Sequence, residues 1–460
     1  MNSRTTAIMV AIAAVATLGA LWMAPKDLPP PVYEDTGLPL FADFTDPHAA
    51  AGLEVLEWDE TSAKLMRFKV EQKAGRWVIP SHHDYPADAA EHLGKAASSF
   101  IDVKRDIYYG DKPEEHGKFG VVDPESTEAE EGRGKRITLT DNTGTKLVDI
   151  IVGKEIPDKK GFLYVRFPEQ KRVYGSRLEL DVSTSFTDWI EKDLLMLTPD
   201  DVYSMNYNPY RVDERLGQVT KSEPLLVERE LAVDGGNQAS DWRLMAESKA
   251  PKGKELDSWK VQQMLSSIDN LQIVGVRPRP NPLTLAALQS KGFFVTMDTE
   301  SPRLFGNEGE VSTATEDGIV YTLYFGEVTL DAGLALTAGT KAPEVPPTPD
   351  QGSAKDGDEA KDSANRYLFV DVTYDPAHDK AAQANPAAAE KPAAEKPAAE
   401  KPGDKPAEPE KADPAKEHKA QAAKLQKRFG AWFYVISDDS FKKIHKPREE
   451  YFKDPPKQDK

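Results

Sequence analysis

The residues able to do chemistry in this chain are few and scattered. The densest polar cluster is His82-His83-Asp84, with His92 and His116 downstream. A zinc site needs ligands converging on one face, such as a His pair four residues apart on a helix with a third ligand beyond it. Adjacent histidines on an extended segment point to opposite sides, so exposed loop histidines are the simpler reading. Gly153-Lys154 has no glycine-rich run ahead of it and makes no phosphate-binding loop. No Gly-x-Ser-x-Gly, His-Glu-x-x-His or Ser-x-x-Lys arrangement stands in a credible strand–turn–helix context. The carboxylate pairs Asp200-Asp201 and Glu114-Glu115 are what an acidic protein carries on solvated faces. The sequence therefore assigns no catalytic, cofactor-binding or metal-binding residue, and the expectation is a protein that is not an enzyme.

Aromatic residues say more. Trp77 and Trp242 occupy matching places in two stretches of similar pattern, and the same reading pairs Tyr164 with Tyr434. Matching large apolar residues in a repeated module are most simply core; the sharper reading is a groove for peptide or glycan. Exposed sheet edges offer a third use, accepting a strand from a partner.

Bulk properties bound the possibilities. The chain has 460 residues, room for two or three domains, with 39% hydrophobic and 30% charged residues and a net charge of -18. Such a charge disfavours nucleic acid or an anionic lipid surface as a broad partner. There is no cysteine, which removes disulfides, thiolate metal sites, Cys nucleophiles and a lipoprotein cysteine together.

Ala7 to Ala24 is an uncharged run of eighteen residues, the short end of what a membrane-spanning helix needs. Lys26 and Pro29-Pro30-Pro31 follow it. A cleaved signal peptide is the runner-up, but small residues at −3 and −1 are hard to find: a cut after Ala24 puts Trp22 at −3, one after Ala20 puts Leu18 there. The expectation is an uncleaved anchor at residues 1–24, inserted through 7–24, with a proline-rich stalk over 25–52 and the bulk of the chain periplasmic.

Beyond the stalk, periodicity begins. Leu65–Val70 alternates as a strand, Lys73-Ala74-Gly75 supplies a turn, and Arg76–Ile79 reads as the hairpin partner. Ala89, Leu93, Ala96, Phe100 and Val103 form one apolar helical face. Ile137–Thr140 and Leu147–Val152 flank the turn signal Asp141-Asn142-Thr143-Gly144. Phe162–Phe167 and Arg172–Tyr174 follow, and Val182–Leu197 is expected to close the module as a helix. The same order then recurs: Leu225–Val233 and Trp242–Ala246 around a turn, a helix carrying Val261, Met264, Ile268 and Leu271, then strands at Phe293–Met297, Ile319–Gly326, Arg366–Tyr374 and Gly430–Ser437. A short closing helix is expected within Phe441–Phe452. IVYTLYFG mirrors LVDIIVG, both ending on glycine. The predicted fold class is α+β: two related modules of antiparallel sheet with flanking helices, behind one N-terminal transmembrane helix. The modules span 53–200 and 201–452, the second interrupted by segments 338–365 and 376–427. Prolines every five residues in the Ala-Ala-Glu-Lys-Pro repeats, without apolar residues, predict disorder there.

Three features resemble the bacterial family called domain of unknown function 4340. They are the Trp strand, Tyr-Pro-Ala-Asp and amphipathic helix of Arg76–Val103; the Leu147–Gly153 strand followed by Phe162–Phe167; and the ending Phe433–Phe441. The resemblance covers most of 60–330 and 366–450, and its motifs are structural. It implies a single-span, outward-facing protein of the inner (cytoplasmic) membrane, associated with ABC-type export or gliding-type transporter components. It implies no catalytic residues, and the Ala-Glu-Lys-Pro insertion departs from its pattern. The expected function is a membrane-anchored accessory or scaffold protein of an ABC-type transporter complex, with membrane proteins as partners and no nucleic acid. The alternative is an envelope binding module for peptide, glycan or lipid.

Overall fold

The computed structural model describes residues 35–60, 63–127, 131–180, 182–213, 218–231, 241–296, 302–331, 333–339, 364–384 and 414–455, besides Ala13. The expected anchor at 7–24 (Ala13 apart), residues 25–34 of the stalk and the repeats at 385–413 lie outside them. Among the described residues, no helix is long and apolar enough to cross a membrane.

Two large sheets, beside three two-stranded ones among the described residues, form from strands rich in β-branched and aromatic residues, which suit a pleated, half-buried surface. The first uses β1 (Gly52–Asp59), β2 (Lys64–Lys73), β3 (Arg76–Ile79), β4 (Tyr85–Pro86), β5 (Ile107–Gly110), β6 (Lys135–Thr140), β7 (Lys146–Glu155), β8 (Phe162–Arg166) and β9 (Val173–Arg177). Their order is β4-β3-β2-β1-β6-β7-β8-β9-β5. The second uses β10 (Val202–Asn208), β11 (Leu225–Glu228), β12 (Arg243–Leu244), β13 (Ile273–Pro278), β14 (Glu310–Thr315), β15 (Asp317–Thr329), β16 (Asn365–Asp379) and β17 (Trp432–Ser437). Their order is β12-β11-β10-β14-β15-β16-β17-β13. Apart from β4, this is one topology written twice, with β1 answering to β10, β2 to β11, β3 to β12, β5 to β13 and β6–β9 to β14–β17. A helix follows the third strand each time, α1 (Ala90–Ser98) and α2 (Ser258–Asp269). The pairings β6–β7, β7–β8 and β8–β9 are antiparallel, as are β14–β15, β15–β16 and β16–β17. The α+β class stands.

One detail ties the copies together below the level of strand order. The register of β7 against β8 shifts between Val152 and Glu155, and that of β15 against β16 between Phe325 and Val328. Gly153 and Gly326 sit inside these bulges. A Cβ on Gly153 would lie 2.4 Å from the Phe119 carbonyl oxygen, and one on Gly326 would lie 2.3 Å from that of Lys291. Each copy thus passes a segment so close over its sheet that only glycine fits beneath it.

By contacts the chain divides into residues 1–67 with 93–181, and 68–92 with 182–460. In the first unit Leu53, Val55, Ile137, Leu139 and Ile150 are buried core. The described part of the expected stalk is folded into that unit: Leu40 and Phe44 are buried, and Leu40 N–H donates to the Val103 carbonyl at 2.7 Å. Asp35 accepts from the Tyr174 hydroxyl and, at 2.8 Å, from Arg172, which holds its carboxyl below the ordinary range.

In the second unit, residues 68–92 are held by the segment that follows the first sheet. Trp189 packs on Phe68 and His92, and Asp88 N–H donates to the Trp189 carbonyl at 2.8 Å. The helix predicted at Val182–Leu197 does not form; only a single 3-10 turn, Phe186–Asp188, is present. Its apolar residues Phe186, Trp189, Ile190, Leu194 and Leu197 are buried as predicted. Local side chains capture the backbone instead: Ser183 Oγ accepts from Ser185 N–H, Glu191 from Asp193 N–H and Asp193 from Met196 N–H. Ser and Asp compete with helix in this way.

Part of the segment expected to be disordered, 376–427, is also ordered. β16 runs to Asp379, a short helix spans Lys380–Ala384, and α3 spans Pro414–Phe429. From Ala415 to Phe429 the chain is free of proline and rich in Ala, Lys and Gln, good helix formers. Ala422 and Phe429 bury one face of α3. Gln426 bridges to β16, accepting from Val372 N–H at 2.8 Å and donating to Asp371 at 2.6 Å. His418 reaches buried Asp379 at 2.9 Å and Asp317 at 3.4 Å. The closing helix expected within Phe441–Phe452 lies earlier, as α4 (Asp438–Ile444), capped by Ser437 Oγ accepting from Ser440 N–H.

Candidate functional site

The second unit carries an open groove of about 600 Å³ whose walls come from the β2–β3 hairpin and the last turns of α3. The hairpin turn is Ala74-Gly75, both residues left-handed at φ 49° and 76°, the geometry of a two-residue hairpin loop. It presents Lys73, Arg76 and Trp77 on one side of the groove. α3 presents Lys424, Lys427 and Arg428 on the other, and Val78, Pro86, Ala431 and Trp432 complete the apolar lining. Trp432 is held edge-on by Tyr85, with ring centroids 5.0 Å apart, and Tyr85 in turn packs on Phe186. Burial pushes the Tyr85 phenol up to about 12, so this support stays neutral.

Charge distinguishes the groove from the rest of the molecule. Its lining holds five basic side chains and a single carboxylate, Asp84, in a chain of net charge -18. Lys73 is spoken for, at 2.7 Å from Asp84 and 3.2 Å from Glu71. Arg76, Lys424 and Lys427 have no acidic partner among the described residues. The last turn of α3 offsets part of the positive charge with its carbonyls, a partial charge of roughly −0.5, which leaves the site clearly cationic. A second depression of about 460 Å³, around Tyr207, His445 and Arg448, differs in this respect. There Arg448 donates to the Lys249 carbonyl at 2.6 Å and lies 3.5 Å from Glu223.

The residues singled out in the sequence fall into clear roles. His82 is buried, stacked on Phe186 at 4.3 Å, with Nε2 2.9 Å from Thr337 Oγ1 and Nδ1 2.9 Å from Ser81 Oγ. Burial holds its imidazole down to about 4, a neutral structural histidine. His83 is in a left-handed conformation, φ 60°, and its Nε2 meets the Ala338 carbonyl at 2.7 Å. The adjacent histidines thus reach the same short helix, Gly333–Ala338, and pin the hairpin base to it; the expectation of exposed loop histidines fails at His82 and His116, which are buried. His116 bonds the Lys171 carbonyl in the first unit, and His92 lies against Trp189. Among the described residues, no group of three metal-ligating side chains converges. Gly153-Lys154 lies inside β7, and Asp200-Asp201 is exposed.

The matched tryptophans separate. Trp242 is buried, its Nε1 donating to Gln262 at 3.0 Å and Arg229 stacked 4.7 Å over its ring. Trp77 is half-buried and lines the groove. Tyr164 and Tyr434 are not equivalents: Tyr164 lies on β8, whose counterpart is β16, whereas Tyr434 lies on β17, the counterpart of β9. Tyr174 of β9 matches Tyr434 by strand, and both are buried. Sequence reasoning missed Lys424 and Lys427 because it counted α3 up to residue 427 as part of the segment expected to be disordered; the end of the proline repeats at Pro414 was the signal.

Fold and site together define a duplicated antiparallel α+β scaffold with a cationic, aromatic groove. Residues 77–291 match the family described as Domain of unknown function (DUF4340), the family that the Arg76–Val103 motifs resemble. No curated protein and no solved structure matches the chain.

Proposed function

We propose that this protein is a non-catalytic accessory or scaffold of the bacterial envelope, anchored through residues 7–24 in the cytoplasmic membrane with its two sheets on the periplasmic side. Its partners in this reading are membrane proteins, the subunits of an ABC-type transporter foremost. The observation that supports it best is the pairing of a repeated sheet topology with an open groove in which Arg76, Lys424 and Lys427 have no acidic partner among the described residues. Such a design presents surface and charge to a partner. The family resemblance supplies the transporter association, and the uncharged run Ala7–Ala24 supplies the anchor.

The test is cross-linking in intact membranes, purification through a carboxy-terminal tag and mass spectrometry. Recovery of permease or ATPase subunits in stoichiometric yield is the expected result. Recovery of the chain alone from membranes, or its recovery wholly in the soluble fraction, would overturn the reading. The groove also favours the second reading, a binding module for an envelope ligand. That reading gains if the chain comes back with a peptide, glycan or lipid and no transporter subunit.

A further inference from the structure

We infer that the groove between the β2–β3 hairpin and α3 receives an acidic peptide segment, supplied by a partner protein, that carries one aromatic or long aliphatic side chain. This deepens the scaffold reading and rests on it. The argument begins with the lining. Trp77, Val78, Pro86, Ala431 and Trp432 offer an apolar floor that no side chain of the described residues fills. Apolar floors with a few placed charges are how proteins grip a side chain while reading its neighbours.

The charges select the neighbours. Arg76, Lys424 and Lys427 flank the floor on both sides, and among the described residues an incoming carboxylate displaces no ion pair of theirs. Arg428 adds a fourth cation at the Trp432 end. Two tryptophans beside arginines also suit a planar or aliphatic anchor, because guanidinium and indole both stack. Net charge decides between a peptide and an anionic bilayer. A body of charge -18 is repelled by an extended anionic surface, whereas a single narrow segment can enter a local positive field. Rigid support fits the role: Tyr85 fixes Trp432, and His82 and His83 fix the base of the hairpin.

The experiment uses the full chain in detergent micelles and fluorescein-labelled twelve-residue peptides read by anisotropy. One set alternates Asp or Glu with Gly around a central Trp, Leu or Ser; a second set replaces every acid by Lys. The acidic Trp and Leu peptides should bind, the Ser peptide about tenfold more weakly, and the Lys set not at all. Raising salt to about 0.5 M should weaken binding, since exposed charges are screened at that strength. The double variant Arg76→Glu/Lys427→Glu should weaken it at least about tenfold with an unchanged thermal melt. Trp77→Ala provides a second, charge-neutral variant with the same expected loss. No binding by any acidic peptide up to about 1 mM, or equal binding by the double variant, would overturn the inference. So would binding of phosphatidylglycerol vesicles through the same residues without peptide binding. Cross-linked transporter subunits recovered from the double variant would show that the scaffold reading survives failure of the groove.

Discussion

The two copies of the sheet differ most in the connection between their last two meander strands. In the first copy β8 passes to β9 through residues 167–172; in the second, β16 passes to β17 through 380–431. The longer connection contains α3, and α3 brings Lys424, Lys427 and Arg428 to the groove. The third-strand corners differ as well. At β12 the tryptophan is sealed under Arg229, and at β3 its counterpart is left half-open. The two sheets share one strand order apart from β4, and the candidate site lies where they differ. Strand order survives such divergence because it is fixed by many pairings, while an edge corner is fixed by a handful of contacts.

The corner comparison is broken most directly by truncation. Trp242→Ala removes a fully packed indole and should destabilise the protein by about 3–5 kcal/mol, measured by urea unfolding. Trp77→Ala should cost about 1 kcal/mol or less, since much of its ring already faces water. Equal costs would mean that the two corners are the same after all.

The corners should also answer differently to acid. The β3 corner hangs on His82, whose imidazole is held down to about 4 against an ordinary value near 6.5. Between those values the unfolded chain binds the proton and the folded chain does not, so stability falls as pH drops from about 6.5 to about 4. The full loss approaches roughly 3 kcal/mol by the usual conversion. In His82→Gln the unfolding midpoint should lose that part of its acid slope. The β12 corner relies on Arg229, charged throughout, and contributes no such slope.

Next in size is the anchoring of α3. His418→Ala leaves buried Asp379 with the Tyr374 hydroxyl but without its imidazole partner, at an expected cost of about 1–3 kcal/mol. Hydrogen exchange should localise that loss to α3 and the end of β16. The smallest effect is at the hairpin tip. Ala74 occupies a left-handed conformation at φ 49°, so Ala74→Gly should raise stability by up to about 1 kcal/mol. A shift of the melting temperature in the opposite direction would show that the turn is not strained there.

Much of the scaffold was legible because strands and turns are local statements. The Lys73-Ala74-Gly75 hairpin and the Asp141–Gly144 turn are written in adjacent residues; the strands expected to end on Gly153 and Gly326 instead run past them to Glu155 and Thr329, with each glycine at a bulge. The irregular path of Val182–Leu197, where a helix is expected and none forms, was not recoverable from its pattern. Its apolar spacing was real, but burial of Trp189 and Leu195 is achieved by an irregular path that Ser183, Glu191 and Asp193 stabilise through their own hydrogen bonds. Burial patterns report which residues go inside and leave open how the backbone takes them there. The groove was illegible for another reason: Trp77 and Lys427 are 350 positions apart, and only the folded chain sets them side by side.

α3 is clamped to β16 at two points one helical stretch apart, His418 and Gln426. Everything the insertion contributes to the groove lies on the far side of the first clamp. The number of Ala-Ala-Glu-Lys-Pro units before it is then free to drift, since doubling a loop costs only about 0.6 kcal/mol in closure entropy. Selection can lengthen or trim that tract without moving a single lysine of the wall, and an engineer can splice a reporter into it on the same terms.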